Sequence, residues 1–260
     1  MNQTGTALIT GASSGIGWHF AHEHAKRGGD AILVARNEKK LTSLKQVLEA
    51  QYQISAHVIA ADLQSPGAAQ EIYEKTTSQQ LSVDVLINNA GFGGHGVFSE
   101  RELADDLAMI QVNISALTAL THYYIKDMVA RGHGKILNVS STASFIPGPL
   151  QAVYYATKAF VTSFSQAIAQ EHSDKGITVT ALCPGAVKTG FAKAGNLEDV
   201  AVFEKGKSAE SVAAFGYAKM EQGKLVAVNE SGLRFLIDWV IPLLPRKLVL
   251  KMSRQSMEKK

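Results

Sequence analysis

Along the 260 residues, short apolar and β-branched runs alternate with longer stretches whose apolar positions recur at helical spacing. Residues 6–10, 31–35, 57–61, 83–88, 135–140, 177–183 and 225–228 predict seven strands. Residues 16–27, 38–51, 66–80, 101–131 and 152–173 predict the intervening helices. Strand and helix in regular alternation make a parallel sheet covered on both faces, and right-handed crossovers wind it in two directions. The expected fold is therefore α/β: a Rossmann-type, doubly wound, seven-stranded parallel sheet in three α/β/α layers.

With 46% hydrophobic residues and no Pro/Ser-rich or charge-blocked linker, the chain reads as one domain, 1–260, around one large core. Two segments stand apart from the alternation: 189–223, which has a helix expected to start near Ser208, and an apolar extension over 231–260. The first of these lies between the sixth and seventh strands, and ligands bind beyond the carboxyl ends of strands in such sheets. The extension carries Arg234, Asp238, Pro242, Pro245, Arg246 and Lys247 among its apolar residues, too many interruptions for a membrane span. It is expected to pack on the core or a partner subunit, with contact to a membrane surface as the alternative.

The net charge of +3 is mild and its lysines and arginines are scattered among acids, so nucleic acid is not an expected partner. A lone cysteine, Cys183, and the absence of a signal-peptide pattern give a cytoplasmic expectation. His19, His22 and His24 cluster without Cys or acidic companions at ligand spacing, so no metal site is expected.

Candidate chemistry begins at the first predicted strand, which runs into Thr10-Gly11-Ala12-Ser13-Ser14-Gly15-Ile16-Gly17. Gly11 suits a tight turn, Gly15 lets backbone amides approach a diphosphate, and Gly17 lets the helix pack close to the sheet; the helix N-terminus favours negative charge. At the tip of the second strand, Val34-Ala35-Arg36-Asn37 lacks the acid that would bind an adenosine ribose. Arg36 can hold a 2′-phosphate instead, with Lys40 one turn further on as a helper, so NADP(H) is expected over NAD. Tyr154 and Lys158 lie four apart on a helix and so face one site, while Tyr155 points elsewhere. A phenol with a pKa of about 10 is a weak acid at neutral pH, and an ammonium beside it would lower that value. Ser141 closes the fifth strand, where a hydroxyl can hold a carbonyl oxygen; Ser140, on the opposite strand face, is expected to bond backbone, and Ser144 is a rival.

Together with Asn88-Asn89-Ala90-Gly91, Asn113 and Pro184-Gly185 in the same order, these strings resemble the short-chain dehydrogenase/reductase family over nearly the whole chain. The resemblance implies an oxidoreductase that interconverts a carbonyl and an alcohol by hydride transfer, with Tyr154 as general acid/base. By the same resemblance Ser141 holds the substrate oxygen, Lys158 also meets the nicotinamide ribose, and Asn113 supports a water-linked proton path to the lysine. Cofactor contacts are implied for Gly11, Ser13, Ser14, Gly15, Ile16 and Gly17 around the diphosphate, and for Asp62 and Leu63 at adenine. They are implied also for Asn89, Ala90 and Gly91 in the middle, and for Pro184, Gly185, Val187 and Thr189 at the nicotinamide. Asp62 also reads as a helix N-cap before Pro66, and the Asn side chains as braces between strands. In the resembled family the insertion before the seventh strand closes over the substrate, so the resemblance implies a substrate lid at 189–223, and His95, Phe92 and Phe98 are expected to shape the substrate mouth.

Within the family the chain is similar to ketone reductases. A 3-oxoacyl thioester reductase or hydroxysteroid dehydrogenase is the enzymatic alternative, and an NADPH-binding sensor the non-enzymatic one. Lys188, Lys193, Lys205 and Lys207 would suit an acidic carrier or form a solvated lid face. The family also implies a homodimer or homotetramer through the fourth and fifth helices, 101–131 and 152–173.

Overall fold

The computed structural model describes residues 4–204 and 206–259. Seven parallel strands form the sheet: β1 (Thr6–Thr10), β2 (Asp30–Ala35), β3 (Ala56–Ala60), β4 (Val85–Asn88), β5 (Gly134–Val139), β6 (Ile177–Leu182) and β7 (Val226–Ala227). Their order across it is β3-β2-β1-β4-β5-β6-β7, so the winding reverses between β1 and β4. That reversal opens a crevice at the carboxyl edge, where ligands bind in such sheets. Every predicted strand is present, and the expected doubly wound fold is the one found.

Side chains alternate across each strand, and the two hydrophobic layers follow from this. Ala7, Ile9, Leu33, Ile87 and Leu137 face one side, where α1 (Gly15–Ala25) and α2 (Glu38–Tyr52) supply Phe20, Leu41 and Leu48. Leu8, Ile32, Leu86 and Ile136 face the other, against Ile72 of α3 (Ala68–Ser78), Tyr124 and Met128 of α4 (Leu103–Arg131), and Ile168 of α5 (Ala152–Glu171). Each fully buried side chain of this size contributes about 1.5–3 kcal/mol relative to exposure. By length and composition α4 is the one helix among the described residues that could cross a membrane. Here its apolar face lies on the sheet and its centre carries Asn113.

The two segments outside the alternation pack differently, and the bounds of the expected lid need correction. Of the expected lid, 189–223, the second half is α6 (Ala209–Glu221), capped by Ser208, whose side chain accepts from the Ser211 amide at 3.2 Å. Ala213, Tyr217 and Met220 of α6 join the core beside Phe20, and Gly216 lets the helix press onto Leu182. The part outside the core is therefore confined to about 189–204 of the described residues, and a short parallel ladder of Val187–Lys188 with Lys207–Ser208 joins its two ends. The extension, in turn, packs only in part. A helical segment over 231–243 and α7 (Arg246–Met257) bury Ile237, Val249 and Met257, while Phe235, Trp239 and Leu243 stay exposed.

Candidate active site

A single cleft, about 820 Å³ in volume, runs along the carboxyl edge from Arg36 at one end to Met257 at the other. Every residue expected to hold cofactor lines it except Gly17. A Cβ on Gly17 would lie 2.3 Å from the Gly11 carbonyl oxygen and 2.5 Å from Asn89 Nδ2, so its task is helix-to-sheet packing. Gly11 and Gly15 have φ of 68° and 57°, the left-handed region where a side chain is strained. Ser14 enters α1 extended, with no side-chain cap bond, so the helix N-terminal amides stay open to an anion.

Asn89 lines the cleft, and its Nδ2 donates to the Thr10 carbonyl at 2.9 Å and ties the end of β4 to β1. Thr10 Oγ1 accepts from the amides of Asn89 and Ala90, both at 3.0 Å. Asn88 braces the next strand through Asn138 Oδ1 at 2.9 Å. The asparagines thus play the expected bracing part. Asp62 does not cap α3, whose N-cap is Gly67; its Oδ1 accepts from the Gln64 amide at 3.0 Å and shapes the loop at the adenine end. Arg36 is exposed on the rim and makes no hydrogen bond or ion pair among the described residues, and the Lys40 ammonium makes none either.

At the other end Ser141, Tyr154 and Lys158 converge. Ser141 Oγ accepts from the Ala143 amide at 3.1 Å, which fixes the hydroxyl at the top of β5. Ser140 points away, donating to the Lys158 carbonyl at 2.9 Å, as its strand face requires. Lys158 Nζ donates to the Val139 carbonyl at 2.8 Å and stands 5.8 Å from the centre of the Tyr154 ring. An ammonium has three donors, so two remain for the cleft.

Burial raises the Tyr154 phenol above its usual range, and the neighbouring Ser141 hydroxyl only partly opposes this. The expectation that Lys158 lowers it is not met in the protein alone: desolvation outweighs every other influence, and the phenol stays protonated. Burial likewise pushes the Lys158 ammonium down to about 8, with Cys183 opposing.

Asn113 lies in a π-helical turn, Gln111–Ala116, inside α4. Its Nδ2 donates to the Phe92 carbonyl at 3.0 Å and to Thr157 Oγ1 at 3.1 Å, and its Oδ1 accepts from the Phe92 amide at 3.2 Å. Thr157 in turn donates to the Tyr154 carbonyl at 2.7 Å. The side chain therefore fastens the loop after β4 to the helix bearing Tyr154. Nothing in the amino-acid pattern marked Thr157 for that part beyond its place beside Lys158.

Aromatic and apolar groups line the far end: Phe92, Tyr155, Phe191, Phe203, Leu233 and Met257. Phe191 lies 5.4 Å from the Tyr154 ring centre. Tyr155 shares the lining, but its hydroxyl neighbours Ser253 of α7 while that of Tyr154 neighbours Ser141, so the two point apart as expected. Phe98 is 63% exposed and lies outside the cleft. His95 shapes the mouth indirectly: its Nε2 contacts the Met257 carbonyl at 2.8 Å, while Arg101, paired with Asp106 at 2.7 Å, donates to the His95 carbonyl. Lys188, Lys193 and Lys207 are solvated and outside the lining, and Lys205 lies outside the described residues. His24 is a packing histidine, bonded to Tyr217 Oη at 2.8 Å and held near a pKa of 4 by burial.

Residues 5–199 match the short chain dehydrogenase family. The chain is 35% identical over 193 residues to the very-long-chain 3-oxoacyl-CoA reductase of Rattus norvegicus, covering 72% of this chain and 61% of that enzyme. To the human 17-beta-hydroxysteroid dehydrogenase type 3 it is 35% identical over 189 residues, covering 72% of this chain and 60% of the other. The chain thus spans less than two thirds of the length of these relatives. A solved short-chain dehydrogenase from Sphingobium yanoikuyae in complex with NADPH superposes with a TM-score of 0.83 at 31% identity, covering 88% of this chain and 89% of that one.

Proposed function

We propose that this chain, which belongs to the short-chain dehydrogenase family, is an NADP(H)-dependent oxidoreductase that interconverts an apolar ketone and its secondary alcohol. The observation that carries this is the convergence of Ser141, Tyr154 and Lys158 midway along a cleft with a free arginine at one end and an aromatic wall at the other. The cleft fits a dinucleotide by its own chemistry. Gly11 and Gly15 make a cradle that side chains would strain, the N-terminus of α1 has amides for a diphosphate, Arg36 suits a 2′-phosphate, and two Lys158 donors suit ribose hydroxyls. When bound, the reduced nicotinamide supplies the hydride. Ser141 holds the carbonyl oxygen by a hydrogen bond. Tyr154, protonated because it is buried, gives its proton to that oxygen as charge develops there, and the Lys158 ammonium stabilises the resulting phenolate.

A pH dependence follows. Lys158 is charged below about pH 8 in the free protein and neutral above it. The kcat/KM for NADPH, which reports the free enzyme, is expected to fall as pH rises through about 8; a flat profile to pH 10 would count against Lys158 in this part.

Phe92, Phe191, Phe203, Leu233 and Met257 favour a bulky apolar substrate, and the relatives named above act, by their names, on a 3-oxoacyl-CoA and a hydroxysteroid. Rates of NADPH consumption with aromatic ketones, steroid ketones and 3-oxoacyl thioesters separate these classes. Turnover of at least one bulky ketone supports the reading, whereas tight NADPH binding without turnover across the panel supports the sensor alternative. The proposal includes a cytoplasmic location and a homodimer or homotetramer, the latter supported by exposed Leu103 and Leu107 on α4 and Phe160 on α5.

A further inference from the structure

The net positive charge of this chain comes from its last thirty residues. Residues 231–260 hold seven Lys/Arg and two acids, five positive charges net, against +3 for the whole chain, so the preceding 230 residues are net acidic. Arg234 pairs with Asp238 at 3.3 Å and Arg254 with Glu258 at 3.5 Å, while Arg246, Lys247 and Lys251 have no acidic partner among the described residues. Large apolar side chains stand outward in the same region: Phe235 is 62% exposed, Trp239 68% and Leu243 84%. These three recur every four residues along one face of the helical segment, whose opposite side buries Ile237. On α7, Val249, Ser253 and Met257 face inward, and Leu248 and Met252 stand outward beside Lys247 and Lys251.

We propose that this face docks on the surface of an anionic lipid bilayer, with Phe235, Trp239 and Leu243 entering the acyl boundary and Arg246, Lys247 and Lys251 at the headgroups. An exposed apolar ridge with an indole, rimmed by unpaired cations, is what an interfacial element presents to anionic lipid. A second copy fits less well, because a two-fold contact through this patch would oppose two clusters of like charge. Leu233, Ser256 and Met257 of the same extension line the cleft, so docking would hold the apolar end of the cleft near the bilayer. The proposal stands whatever the substrate.

Co-sedimentation of the full chain with vesicles of phosphatidylcholine alone, and of phosphatidylcholine with one third phosphatidylglycerol, tests it. Partitioning is expected at least about tenfold higher on the anionic vesicles, to weaken in 0.5 M salt, and to carry a blue shift of Trp239 fluorescence. Lys247→Glu/Lys251→Glu and Trp239→Ser/Leu243→Ser are expected each to lower partitioning at least about tenfold, with thermal unfolding unchanged as the check on folding. Equal partitioning on both vesicles, or partitioning indifferent to the charge reversal, overturns the proposal. So does a dimer that dissociates in Trp239→Ser/Leu243→Ser without any vesicle binding, or binding to an acidic carrier protein but not to vesicles.

Discussion

Tyr154→Phe is expected to lower kcat by about 10²–10⁴-fold, the usual worth of a positioned general acid, while the Kd for NADPH stays within about twofold. The ring would keep its place against Phe191 and over Gly93, and only the hydroxyl beside Ser141 would go. Loss in kcat without loss in nucleotide affinity is the mark of a group acting in the transition state. Fluorescence titration with NADPH and steady-state turnover of the best ketone give both numbers. Near-normal turnover would remove Tyr154 from the chemistry and turn attention to Tyr155, which shares the cleft.

The second large effect is expected at the opposite end of the cleft. Arg36→Glu should lower the ratio of kcat/KM for NADPH to that for NADH by at least about a hundredfold. A charge-assisted bidentate bond is lost and a carboxylate is set against the 2′-phosphate. Because Arg36 is exposed and makes no hydrogen bond or ion pair among the described residues, the substitution is expected to leave the fold alone. Parallel initial rates with both nucleotides check it, and an unchanged ratio would mean that the phosphate is held elsewhere.

The strands and their order of use were legible because each is a short apolar run bounded by turn residues, and the alternation with helices leaves few topologies. Tyr154 and Lys158 were legible because helix periodicity decides which of two neighbours faces the site; Ser141 was picked by its spacing to the tyrosine in the resembled family, and the Ser140 hydroxyl bonds backbone as its strand face requires. The same rule turns the Tyr155 hydroxyl toward Ser253, although its ring still borders a cleft this wide. The helix Ala209–Glu221 was assigned to the lid because sequence distance from β6 does not reveal that Gly216 lets it reach Phe20 and Leu182. Nor does any local pattern encode the bond between His95 and the Met257 carbonyl, which joins residues 162 positions apart. The upward shift of the Tyr154 pKa was missed for a related reason: desolvation depends on everything that covers the ring, and spacing reports only its nearest neighbours.

In the proposed reaction this cleft reduces a carbonyl from NADPH, with Tyr154 as the proton donor. Its most direct test is incubation of the purified protein with a bulky ketone and NADPH deuterated on the transferred position, followed by mass spectrometry of the alcohol, beside Tyr154→Phe. One deuterium on the carbinol carbon of the product, formed at a rate that collapses in the variant, is the predicted result. NADPH bound tightly with no labelled alcohol, or equal label from the variant at the same rate, would contradict it.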